Sequence, residues 1–269
     1  MDRAADGILI GRTIDLNADA GEGFDAVDAA IFPLVTSVSI ACGMHAGGPS
    51  TMRRAVELAL EHGVAIGAHP GLPDREGFGR RAIAITPAEA YDLVLYQLGA
   101  LGAIVRVEGA TMAHVKPHGA LYTMAARDAE LADAIASAVC DFDDGLTLYG
   151  LAGSELIRAA EIHGLATAGE VFADRRYGPD GHLLPRDHPD ALVGDPVDAA
   201  RRVREMLGGH LPSAEAPDIA IEADTVCLHG DSPGAGEFAR RLREELLRMG
   251  LTIQRPGRAG MSEQSAAAP

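Results

Sequence analysis

Short apolar runs alternate with amphipathic segments from Ile14 almost to the end of the chain. Seven apolar runs read as strands, over residues 14–17, 37–41, 64–68, 113–116, 146–151, 167–172 and 225–228. Between them the period becomes helical. Met52, Ala55, Val56, Ala59 and Leu60 recur at helical spacing, with Ser50 as the expected cap and Gly63 as the expected stop. Further helices are predicted over residues 87–104, 128–139, 154–163, 196–207 and 234–249, the last carrying Phe238, Leu242, Leu246 and Met249 on one stripe. Strand followed by helix, repeated, implies a parallel sheet.

Polar residues cluster at the ends of these strands. Asn17 and Asp19, His45, His69, Lys116 and His118, Asp174 and Arg175, and His229 and Asp231 each fall at or just past a strand's C-terminal end. A barrel brings all such ends to one face, whereas a doubly wound sheet brings together only those beside its switch point. The expectation is therefore a closed or nearly closed β/α barrel. It is expected to fill residues 1–256 as a single domain, with an irregular connection over 208–222 and a disordered tail over 257–269.

Composition narrows the chemistry. The 269 residues carry a formal net charge of −16, which opposes binding to nucleic acid or to an anionic membrane surface. Small metabolites or basic partner surfaces fit the charge better. Cys42, Cys140 and Cys227 are odd in number and widely spaced, which argues against a disulfide framework and for a reducing compartment. The N-terminus has no signal-peptide pattern and no stretch approaches 18 apolar residues, so a cytoplasmic location is expected. Lys116 is the only lysine; the other 22 of the 23 Lys and Arg residues are arginine. A site that keeps an amine in such a chain points to a need for a compact ammonium, which the planar guanidinium does not replace.

His114, Lys116 and His118 alternate along one strand, which places their side chains on one face. The same alternation puts Asp15, Asn17 and Asp19 on one face of the first strand, inward if it lines a barrel, followed by Glu22 among glycines. Glu22 reads equally well as a helix or turn cap, whereas Asp15 and Asn17 would be buried polar groups that must be paired or used. His45 lies in a glycine-rich turn before a helix, without the pattern of a phosphate-binding loop. His69 precedes Pro70, which holds its backbone extended, and Asp74, Arg80 and Arg81 follow in the same loop. Asp231 or Ser232 could simply cap the helix that follows; His229 has no such role and reads as functional.

These groups admit several uses. His45, His69, His118 and His229 with Asp15 and Asp19 are of the types that bind a divalent metal, with Asp15, His45, His69 and His229 as the ligand candidates, although no HExxH-like spacing occurs. The competing use is hydrogen bonding and proton transfer by neutral histidines. Lys116 could be a Schiff-base nucleophile, a cation that stabilises an oxyanion or phosphoryl group, or a partner for Asp15 or Asp19. The surrounding histidines and carboxylates favour the last two, with electrostatic stabilisation ranked first.

The stretches 14–23, 40–49, 67–81, 115–122, 170–177 with Gly181, Pro185 and Arg186, and 227–231, in this order, resemble the LamB/YcsF family, whose members form the A subunit of the prokaryotic 5-oxoprolinase. The resemblance runs from about Thr13 to Ile253. Ser39 stands where the family often has Asn and Gly48 where it often has Asp, which weakens a polar role at 39 and removes a carboxylate from the His45 loop. The resemblance implies a distorted TIM-like (β/α)7 barrel related to sugar deacetylases. It also implies two partner subunits, B and C, that resemble allophanate hydrolase, and opening of 5-oxo-L-proline to L-glutamate with hydrolysis of ATP. On that reading Lys116, His118, Asp15, Asp19, His45, His69 and His229 are the catalytic candidates. Asn17, Glu22, Asp74, Arg80, Tyr122, Asp174, Arg175 and Asp231 are the candidates for binding substrate. Two other readings remain: a self-sufficient metal-dependent amidohydrolase or deacetylase, and a non-catalytic substrate-binding subunit.

Overall fold

A computed structural model describes residues 11–212, 219–228 and 234–255. Seven parallel strands, β1 (Thr13–Ala20), β2 (Ser37–Ala41), β3 (Ala65–His69), β4 (Met112–Val115), β5 (Thr147–Leu151), β6 (Ala166–Phe172) and β7 (Thr225–Leu228), pair each with the next. The ring closes at β1, where Asn17 is in register with Ser37 of β2 on one side and with Cys227 of β7 on the other. A two-residue strand, β8 (Thr252–Ile253), pairs with Thr13 and Ile14 at the start of β1. All seven predicted strands are present, and the expected barrel is closed.

Helices follow the strands around the outside: α1 (Asp25–Ile31), α2 (Pro49–His62), α3 (Pro87–Val107), α4 (Gly119–Ala125), α5 (Ala129–Phe142), α6 (Glu155–Ile162), α7 (Pro196–Leu207) and α8 (Ala235–Arg248). The short α1 and α4 were not anticipated, because seven residues carry too few turns to show a helical period. Gly48, not Ser50, caps α2, with Pro49 opening the first turn; Gly63 ends it at φ 66°, as expected. Thr86 and Glu89 form a reciprocal capping box at the start of α3.

By length and mean composition α3 would pass for a membrane-crossing helix, although Glu89, Asp92, Gln97 and Arg106 interrupt its apolar residues. It buries Ala90, Val94, Leu98, Leu101 and Val105, and Gln97 ties it to the strand ends by bonding both the N–H and the carbonyl of Gly71.

The fold separates two kinds of interior. Residues of β1 that point outward, Leu16 and Ala18, pack with Val38, Ile40, Val171 and Val226 beneath the helices in a continuous hydrophobic core. Residues that point into the barrel are polar or small: Asp15, Asn17, Ser37, Ser39, His114, Glu170 and Thr225 are all buried. Barrels of this kind are commonly filled by branched apolar side chains. Here a hydrogen-bonded network fills the centre instead, since buried polar groups must find partners. Asp15 takes hydrogen bonds from the hydroxyls of Thr36 at 2.7 Å, Ser37 at 2.8 Å, Tyr149 at 3.2 Å and Thr225 at 2.5 Å. One level up, Ser39 Oγ lies 3.1 Å from Nε2 of His114, whose ring stacks on Tyr149. Position 39 therefore keeps a polar role despite lacking Asn. Gly67 makes room for that ring, since a Cβ there would sit 2.1 Å from His114 Nε2.

Candidate active site

Above the network the strands open into a cavity of about 530 Å³ at their C-terminal ends. Lys116 follows β4 and is only 2% exposed. Its Nζ lies 2.7 Å from Asp19 Oδ1, 3.1 Å from Glu170 Oε1, 2.8 Å from Asn17 Oδ1 and 3.2 Å from Cys227 Sγ. Burial alone would lower the amine's pKa, but Asp19, Cys227 and Glu170 outweigh it and hold the group well above its usual value. Lys116 is thus an ammonium, unsuited to Schiff-base attack and suited to stabilising negative charge. Asn17 is a spacer in this arrangement. Its Nδ2 donates to Glu170 and Thr225 while its Oδ1 accepts from Lys116, which leaves it no polar atom for substrate.

Beside the ammonium lies a histidine cluster. Glu22, His45, His69 and His118 bring one donor atom each to within 4.8 Å of one another. The rings of His45 and His118 stack at 3.7 Å with an interplanar angle of 3°, and His69 meets both edge-on. Burial first, then neighbouring histidines, press His118 down to about 3 and His45 further below its usual value. Tight backbone supports the cluster. A Cβ at Gly71 would lie 2.5 Å from His45 Nδ1, and one at Gly79, where φ is +65°, would lie 2.6 Å from His45 Cβ. Phe78, at φ 55°, is the one residue other than glycine with a positive φ among those described, and its carbonyl lies 2.8 Å from His118 Nε2. A left-handed conformation costs an aromatic residue about 1–2 kcal/mol, a strain borne here where the loop touches the cluster.

The opposite wall is cationic. The β6–α7 connection folds over the mouth, held by bridges between Arg175 and Leu192 and between Tyr177 and Leu183, and it contributes Arg175, Leu184 and Arg186 to the cavity. Arg80 lines the same space from the β3–α3 loop, its guanidinium 4.8 Å from the centre of the Phe78 ring. Burial and then the charge of Arg186 push the Arg175 guanidinium below its ordinary value. Such crowding of positive charge is relieved by a bound anion. Tyr122 also faces the cavity, its phenol raised by burial and then by the charge of Glu170.

The structure therefore sorts the expected residues. Asp19, His69, Arg80, Lys116, His118, Tyr122 and Arg175 line the cavity, and His45 and Glu22 stand behind His118. Asp15 is displaced from the catalytic and metal candidates: four hydroxyls occupy it below the cavity. Glu22 moves from the substrate-binding set to the histidine cluster. Asp74 is held by Arg81 and by the N–H of Gly77, and it and Asp174 do not line the cavity. His229 and Asp231 lie outside the described residues. Glu170 and Arg186 were missed as site residues. A single carboxylate in the apolar run of β6 was one available signal for Glu170, and both residues lie among the stretches that carry the family resemblance.

Residues 14–260 match the sequence model of the LamB/YcsF family. The chain belongs to the LamB/YcsF family. A relative from Geobacillus kaustophilus, named as the A subunit of 5-oxoprolinase, is 57% identical over 92% of this chain and 98% of its own length. One from Bacillus subtilis with the same name is 54% identical over 89% of this chain and 95% of its own length. The crystal structure of the lactam utilization protein from Thermus thermophilus superposes with a TM-score of 0.82 at 48% identity, covering 90% of this chain and 99% of that one. Similarity to the catalytic domain of a peptidoglycan N-acetylglucosamine deacetylase from Eubacterium rectale, with a TM-score of 0.51 at 10% identity, extends to the fold alone.

Proposed function

We propose that this LamB/YcsF chain is the component of an ATP-dependent 5-oxoprolinase that opens the activated lactam, working in the cytoplasm with two partner subunits, B and C, of allophanate hydrolase type. The observation that carries the reading is the cavity itself, in which one buried ammonium held by Asp19 and Glu170 faces a wall formed by Arg80, Arg175 and Arg186. A small anion with a carboxylate and, once activated, a phosphoryl group fits that distribution of charge. The names of the relatives, the A subunit of 5-oxoprolinase and a lactam utilization protein, support the substrate class.

A lactam is a poor electrophile, and its opening needs coupling. Transfer of the ATP γ-phosphoryl group to the amide oxygen, a step assigned to the partners, makes the ring carbon open to water. Water oxygen adds to that carbon, the ring nitrogen takes a proton and leaves as the amine of glutamate, and a second water releases phosphate from the acyl phosphate. The sum is 5-oxoproline, ATP and two waters giving glutamate, ADP and phosphate.

The side chains divide this work by position. The arginines hold the carboxylate and the phosphoryl group; Lys116 stabilises negative charge on the oxygens of the attacked carbon. Asp19, within reach of Lys116 and His69, orients the water. The test is glutamate release from 5-oxo-L-proline by this chain with and without its partners and ATP. Release only with both is the expected result. Release by the chain alone without ATP would replace the proposal with a self-sufficient amidohydrolase, and no release in any mixture would remove 5-oxoproline as substrate.

A further inference from the structure

The hydrogen bonds of the histidine cluster fix where its protons lie. His69 Nδ1 lies 2.7 Å from the carbonyl oxygen of Lys116, and His118 Nε2 lies 2.8 Å from that of Phe78. A carbonyl oxygen only accepts, so each of these nitrogens carries its ring's proton. The other two nitrogens, His69 Nε2 and His118 Nδ1, then present lone pairs, and they face each other at 3.0 Å. Two acceptors at that distance repel unless a cation lies between them.

More acceptors converge on the same point. Glu22 Oε1 is 3.4 Å from His118 Nδ1 and 3.2 Å from His45 Nε2, and Asp19 Oδ1 is 3.3 Å from His69 Nε2. His45 supports the carboxylate from outside: its Nε2 bonds Glu22 Oε1 while its ring stacks on His118. A single proton would satisfy one of these contacts; a metal ion satisfies them together. Donors about 2.0–2.1 Å from a tetrahedral ion are separated from one another by roughly 3.3–3.4 Å, and His118 Nδ1 lies 3.0 Å from His69 Nε2 and 3.4 Å from Glu22 Oε1. The outer hydrogen bonds also match. Histidines that bind metal usually donate their second N–H to a carbonyl or carboxylate, as His69 and His118 do.

We infer that Glu22, His69 and His118 bind one divalent transition-metal ion of the zinc class, through Glu22 Oε1, His69 Nε2 and His118 Nδ1, with His45 Nε2 holding the Glu22 carboxylate from outside. Two imidazoles with one carboxylate select zinc or a neighbouring first-row ion over magnesium or calcium, which take oxygen ligands. His69, His118 and Asp19 also line the cavity, so the ion borders the space next to Lys116. The inference stands on donor geometry and does not depend on 5-oxoproline being the substrate.

The experiment uses the full chain without a histidine tag, prepared without chelator. Its metal content is measured by mass spectrometry; the ion is then stripped and Zn²⁺ or Co²⁺ is added back while thermal stability and the visible absorption of Co²⁺ are followed. About one ion per chain is expected, with a rise in melting temperature on reloading and the intense visible bands of four-coordinate Co²⁺. Glu22→Gln and His118→Asn should each weaken affinity by about 100-fold or more with unchanged circular dichroism, while the remote His163→Gln should not. Should one cluster variant fail to fold, the other and the Co²⁺ spectrum of the unmodified chain decide. A chain that holds no ion and shows neither a thermal shift nor Co²⁺ bands would overturn the inference, as would a content unaffected in both cluster variants. These readouts need no substrate, so their failure is separable from failure of the glutamate assay.

Discussion

Replacing Lys116 with methionine keeps the length of the side chain and removes its charge, leaving Asp19 and Glu170 buried without the ammonium that bridges them at 2.7 and 3.1 Å. Removing one partner of a buried ion pair typically costs about 3–5 kcal/mol, because the remaining charge has lost its solvent and its counter-ion together. For a chain of this size that lowers the melting temperature by roughly 10 °C. The pH dependence supplies an internal check. In the parent the lysine's folded pKa lies above its unfolded value of 10.5, so the pairing contributes fully below that value and is lost only as pH rises through the folded one. The variant lacks this pairing, so its deficit should persist at pH 8 and shrink only as the parent's lysine loses its proton above 10.5. Lys116→Arg keeps the charge at a packing cost of about 1–3 kcal/mol, yet should lower turnover by about 100-fold or more, since the guanidinium cannot occupy the ammonium's position. Urea denaturation at several pH values and glutamate release by the full complex are the assays. A methionine variant as stable as the parent at pH 8 would refute the account of the buried charges; near-normal turnover in the arginine variant would refute the role of the amine.

Four other outcomes follow from the geometry. Asp15→Asn turns an acceptor of four hydroxyl bonds into a partial donor and should cost about 1–3 kcal/mol in urea denaturation while activity per folded molecule stays near normal. Gly67→Ala drives a Cβ to 2.1 Å from His114 Nε2 and should destabilise by about 1–3 kcal/mol or more, read as a lowered melting temperature. Arg186→Ala, on the cavity wall, should raise KM for 5-oxoproline about tenfold with little change in stability, a loss of about 1.4 kcal/mol in binding. Burial first, then the charge of Lys116, hold His114 down to about 3 against an ordinary value of 6.5. A depressed folded value contributes stability above pH 6.5 that is lost as pH falls towards 3, so unfolding free energy should decline between pH 7 and 5 and decline less in His114→Asn.

Much of this architecture was legible along the chain. Alternation identified β1 as a strand with Asp15, Asn17 and Asp19 on one face, and the single lysine marked the centre of the site before any contact was known. Periodicity is a local property, set by whether neighbouring side chains point apart or together, so the order of strands and helices could be read from it. Closure of the barrel decided the rest. It set Asp15 one level below Asn17 and Asp19, in register with Thr225, where hydroxyls occupy it, and raised Glu170 from β6 to Lys116, 54 residues away in sequence. It also took Glu22 to the histidines and folded Arg186 over the mouth. Height within a barrel depends on the stagger between strands distant in sequence, which no single strand encodes. The sequence by itself therefore determined which side chains face inward, and the tertiary structure alone decided which of them meet.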